Sequence, residues 1–184
     1  MKKKYLIISV VLFFLMACTS RRGPEYCRMS DKIVSQYIKD MRKHYGLYSF
    51  GSGGGFFECV NKIMVSFTLV GERNIDELRE LTVLATEDLL KRFNSDEKIR
   101  PFLKNYPFTE KNIRIAIYLI DKEGKGIINK GTGKELLGSV IQSYGTLWYQ
   151  IENEDKPFRQ DVFEEPYRDA FNIVKNRTLE KHGE

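Results

Sequence analysis

Val60–Asn94 reads VNKIMVSFTLVGERNIDELRELTVLATEDLLKRFN, and its periodicity changes in the middle. Ile63, Val65, Phe67 and Leu69 fall on one side of an alternation, with Lys62, Met64, Ser66 and Thr68 on the other. A period of two sends successive side chains to opposite faces, so this stretch is a strand with one face buried. After Gly71 the period turns helical. Asn74 is placed to cap the helix, Asp76 and Glu77 stand in its first turn, and Lys91 and Arg92 stand in its last, which opposes the helix dipole. Leu78, Leu81, Ala85, Leu89 and Phe93 make its buried stripe.

Moving outward, Asp96–Asn112 holds Pro101 and Pro107, each of which turns its predecessor away from helix, so the segment is a connector with at most one helical turn. NIRIAIYLIDKEGKG alternates again through Ile113, Ile115, Ile117 and Leu119 before a turn at Gly124 and Gly126. TLWYQI and PFRQDVF read as two further strands around the loop ENEDK. The last helix starts with Pro166 at or near its first position and uses Tyr167, Ala170, Phe171 and Val174 as its apolar side. Upstream, SDKIVSQYIKDMRKHYG predicts a helix from about Ser30 to Tyr45, stopped by Gly46. The expectation is an α+β fold in two layers, an antiparallel sheet of about four strands with helices on one face. One domain over 30–178 and a frayed polar tail over 179–184 account for the mature chain, and 184 residues with 42% hydrophobic and 30% charged suit a single folded unit.

The amino terminus follows another logic. MKKKYLIISVVLFFLMAC sets three lysines before an apolar run from Tyr5 to Ala17 that only Ser9 interrupts. Those 13 residues match a signal core of roughly 7 to 15 and fall short of the ~20 that span a bilayer. Leu15, Met16, Ala17 and Cys18 resemble the lipobox of bacterial lipoproteins. The resemblance implies that residues 1–17 are a signal peptide, that Cys18 becomes the lipid-bearing first residue with an acylated amino terminus, and that 18–29 form a tether. Two or three acyl chains make a stable anchor. Thr19 stands where an aspartate would signal inner-membrane retention in enteric-type bacteria, which implies the periplasmic side of the outer membrane where an envelope has two membranes.

The formal charge of +5 and pI near 9.0 fall in weight once Lys2, Lys3 and Lys4 are removed, leaving about +2. With no basic stripe interleaved with aromatics, nucleic acid is not the expected partner. The membrane and an envelope protein or wall component are.

With Cys18 lipidated, Cys27 and Cys59 remain as a candidate disulfide in a compartment that permits one. A helix of about 24 Å and a return segment reaching up to about 43 Å let them meet, and closure would add roughly 3 to 4 kcal/mol. Spacing leaves paired and free thiols equally open.

Catalytic signatures are sparse. GSGGGFF, at 51–57, lacks the third glycine of a dinucleotide loop and leads into a strand, and Gly133-Lys134 is followed by Glu135 without the earlier glycine of a phosphate loop, so both read as connectors. His44 and His182, the only histidines, suit a helix end and a tail, which argues against a zinc cofactor or a histidine-based triad. No other cofactor is expected. Asp161, Glu164 and Glu165 cluster before the last helix, and Asp161 with Glu164 is the candidate acid pair for a hydrolase. Helix-dipole compensation explains the same residues, and Glu72, Asp76 and Glu77 too. Tyr144, Trp148 and Tyr149 offer rings to sugar or peptide, while alternation assigns part of this group to the core.

Glu77–Gly124, with the earlier GSGGG and the later YRDAF, is similar to a group of bacterial lipoproteins of unassigned activity. That likeness implies a lipid-anchored single domain and brings no catalytic residue. The functional expectation is therefore a non-enzymatic binding domain of the cell envelope, with a carboxylate hydrolase acting on a wall polymer as the alternative.

Overall fold

The computed structural model describes residues 23–129, 136–156 and 158–182. Residues 1–22, which hold the expected signal peptide, Cys18 and most of the expected tether, lie outside them, as do Gly133, Lys134 and Glu135. Along the chain run α1 (Glu25–Tyr45), β1 (Tyr48–Gly55), β2 (Lys62–Val70), α2 (Ile75–Ser95), β3 (Ile113–Ile120), β4 (Ser139–Ser143), β5 (Thr146–Ile151), β6 (Gln160–Pro166) and α3 (Tyr167–His182). Short 3-10 turns at Arg100–Phe102 and Glu110–Asn112 occupy the proline-bearing connector.

The two-layer α+β expectation holds, and its sheet is corrected. Six strands stand in sequence order, β1 to β6, instead of four. All neighbours are antiparallel except β2 and β3, which run parallel from Ile63 beside Ile113 to Val70 beside Ile120. The cause is α2: a 21-residue helix between two strands returns the chain to the end where it started, which two residues of hairpin cannot do. Asn74 caps α2 by accepting from the Glu77 amide at 2.9 Å while Glu77 accepts from the Asn74 amide at 2.9 Å. Such a reciprocal cap is worth about 1 kcal/mol.

Two strands escaped the sequence reading. β1 contains GSGGG, expected as a connector, and is held by its ladder to β2. β4 is five residues long and turns into β5 through Tyr144 and Gly145, whose φ values of 52° and 83° close a two-residue hairpin loop. Both ends of the domain also move. α1 starts at Glu25, directly after Pro24, so its first five residues fall within the stretch expected as tether, and Ser30 is fully buried inside the helix. α3 runs to His182, into the stretch expected to fray.

The core lies between the helices and one face of the sheet. Ile63, Val65 and Phe67 of β2 and Ile113, Ile115 and Ile117 of β3 are completely buried there. They meet Val34, Tyr37 and Met41 of α1, Leu78, Leu89 and Phe93 of α2, and Ala170 and Val174 of α3. The opposite face, carrying Met64, Ser66, Arg114, Tyr118, Ile141 and Trp148, is half-exposed.

Candidate binding face and its buried anchor

That second face is organised by register. Cross-strand partners share a face, so one row runs Gly51, Ser66, Ala116, Ile141, Trp148, Glu164, and the next runs Thr68, Tyr118, Ser139, Gln150, Asp161. Large residues lean over small ones, since Ala116 and Ser139 are fully buried although no helix among the described residues covers them. The rings of Phe50 and Tyr118 meet edge to face at 5.5 Å, and the Arg159 guanidinium lies 4.7 Å from the Tyr118 ring centroid. Arg159 is fixed in turn by Glu152 at 3.0 Å. At the far corner Tyr144, 72% exposed, adopts the left-handed backbone that glycine or asparagine usually takes at this turn. Lys62 holds it, its ammonium 3.4 Å from the ring centroid and donating to Ser143 Oγ at 3.0 Å. A non-glycine residue in that region costs roughly 1–3 kcal/mol and persists where its surroundings hold it.

The ring cluster seen in the sequence therefore divides. Tyr149 is core, Trp148 belongs to the open face, and Tyr144 stands at its corner. The acid pair takes a place that spacing alone would deny. Three residues apart on a regular strand, Asp161 and Glu164 would point to opposite faces. β6 has an extra residue between the partners of Tyr149 and Gln150, and the bulge returns both acids to the open face. Asp161 accepts from Gln150 Nε2 at 2.8 Å and Glu164 from Trp148 Nε1 at 3.1 Å. Both are exposed.

Glu165, the third acid of that run, points into the protein. It accepts from Arg79 Nε at 2.7 Å and from the Tyr149 hydroxyl at 2.6 Å, and all three groups are largely buried. Burial, then the Glu165 carboxylate, pushes the Tyr149 phenol well above its ordinary range, so it stays a donor. Arg79 also pairs with Asp76, which reaches Arg177 of α3 at 3.0 Å. Hydrogen bonding to Arg177 foremost, with Arg79 adding to it, holds the Asp76 carboxyl below the usual carboxylate range. The two acidic runs that sequence could only list apart, around Asp76 and around Glu165, thus converge on one arginine. Beside this anchor opens a cleft of about 900 Å³ lined by Glu72, Arg73, Ile75, Leu137, Ile151 and Phe163. The carboxylates around Arg79 are already engaged with cations, so they form a structural clamp between α2, β6 and α3.

Cys27 on α1 and Cys59 in the turn before β2 are half-buried and unbonded. Tyr26 links their segments, donating to the Phe56 carbonyl at 3.1 Å and packing on Phe102 at 5.7 Å. Burial, then the neighbouring charges of Cys27 and Cys59, raises its phenol. Among the described residues no group of three or more His, Cys, Asp or Glu side chains gathers as a metal site, and no helix is long and apolar enough to cross a membrane. No family model, curated protein or solved structure matches the chain.

Proposed function

We propose that this is a non-enzymatic, lipid-anchored binding domain of a bacterial envelope that holds a wall polymer against the open face of its sheet. The observation that carries the reading is the pairing of rings with polar groups on that face. Phe50, Tyr118 and Trp148 offer flat apolar surface, and Thr68, Gln150 and Asp161 of the adjoining row supply hydrogen-bonding groups. A sugar chain has the same division, with apolar C–H faces and polar edges. A protein partner's apolar core would find the polar row a mismatch. Cys18, at the end of the lipobox-like run, supplies the anchor, and in an oxidising envelope Cys27 and Cys59 close as a disulfide.

Full-length protein in detergent should sediment with isolated wall polymer, and Trp148→Ala with Tyr118→Ala should weaken retention at least tenfold while circular dichroism shows the fold retained. Wild-type protein that stays in the supernatant, or a double variant retained as well as wild type, removes the proposal. Cys18→Ala should leave the membrane fraction, and two alkylatable thiols in mature protein handled without reductant would end the disulfide reading. One observation favours a second function: the β6 bulge puts Asp161 and Glu164 on the same face beside Trp148. If they hydrolyse the polymer, Asp161→Asn with Glu164→Gln abolishes product release while retention persists; absence of product from wild type eliminates this reading.

A further inference from the structure

We infer that the outer edge of β1 pairs with the same edge of a second copy of this chain, joining two six-stranded sheets into one across a two-fold axis. β1 ends the sheet, and among the described residues no strand lies beyond it. An edge strand presents unpaired N–H and C=O groups, and natural proteins blunt such edges with lysine, proline, inward charges or coverage. From Gly46 to Phe57 the chain has no charged residue and no proline. Gly51, Ser52 and Gly53 are exposed, and a Cβ built on Gly51 meets nothing within 4 Å. The bulge at Ser49 and Gly51 lies toward one end and leaves Gly51–Gly55 in regular register with Ser66–Lys62.

The opposite edge selects against the same contact. β6 carries the exposed acids Asp161 and Glu164 and ends in Pro166, so an antiparallel self-pair of β6 would bring the acids of the two copies together along its edge. β1 pairs with itself without any such penalty. Turned about a two-fold axis, each Tyr48 comes beside the β1–β2 turn of the other copy. That turn carries Phe57, which is 86% exposed, and Tyr48 is 47% exposed. The glycine centre is thereby flanked by two equivalent ring contacts, the self-complementarity that a two-fold interface requires. Because the arrangement is closed, it ends at two copies. It uses the edge of the sheet and leaves the binding face free.

Sedimentation of the full chain in density-matched detergent tests this. The protein mass should double as concentration rises from about 1 to about 100 µM, the range suited to an interface below standard size. Ser52→Lys, which puts like charges near the axis, should stay at monomer mass with an unchanged melting curve in dilute protein. Ser52→Cys should give a cross-linked dimer under mild oxidation in native protein and none in denaturant. A wild-type monomer at the highest concentration, a Ser52→Lys dimer, or mass that grows beyond two copies overturns the inference. So does a Ser52→Cys variant that cross-links equally well when denatured.

Discussion

β1 and β6 close the same sheet at its two ends, yet β6 is fastened to the domain by side chains, whereas the Gly51–Gly55 half of β1 is held by backbone. On β6, Asp161 and Glu164 are tied to Gln150 and Trp148 on one face, and Glu165 is tied to Arg79 and Tyr149 on the other. On β1, a run of glycines relies on the ladder with β2. One edge is specific because losing a partner strands a buried charge. The other is permissive because it has almost no side chain to misplace.

The hardest blow to this contrast is Glu165→Ala. It leaves Arg79 buried with only the more exposed Asp76, and should cost about 3–5 kcal/mol in urea unfolding. A loss below about 1 kcal/mol would mean the β6 clamp is not what secures that edge. Second in size, Gly54→Ala tests where the permissiveness of β1 stops. A Cβ there runs into the Lys62 carbonyl and the Phe56 ring, so about 1–3 kcal/mol should be lost. Equal tolerance at Gly51 and Gly54 would contradict that.

Acid gives a smaller, graded effect at the clamp. The Asp76 carboxyl is held down in the folded protein, so its contribution is fully present above the ordinary carboxylate value near 4 and is lost as pH falls through the lower folded value. Urea titrations at stepped pH should show wild-type stability falling through that window, and Asp76→Asn should flatten the fall. An unchanged slope would assign the acid sensitivity elsewhere. Smallest of all, Gly51→Ala in dilute protein should raise stability by about 0.4–1 kcal/mol, because the site is open and the unfolded chain loses freedom. A measurable loss would show that β1 is constrained there after all.

The same contrast explains what could be read in advance. α2 was legible down to its cap because Asn74, Glu77 and the Leu78-to-Phe93 stripe all act locally. β2 and β3 were legible because both alternate over their whole lengths. β1 was hidden because glycine carries no side-chain pattern, and β4 because its pattern is inverted. Gln142 faces the core, where its amide donates to the Glu110 carbonyl at 2.9 Å, while apolar Ile141 faces out. At the site, Trp148 and the acids were in view from the start. Their common face was not, since it depends on one extra residue in β6. The Arg79 clamp joins groups 86 residues apart, a distance over which no local signal acts.

The parallel pairing of β2 with β3 also bears on how the chain reaches this fold. Along that ladder every partner is 50 residues away, whereas Gly55 meets Lys62 across a short turn and Ser143 meets Thr146 across a shorter one. Closing a loop of 50 residues costs about 1.7 kcal/mol more than closing one of 7, and the ladder repays it only once α2 has formed between its strands. Two antiparallel arms can therefore assemble early and independently. Their union at the centre sets the pace, and substitutions in β2 or β3 should slow folding where those in the arms hasten unfolding.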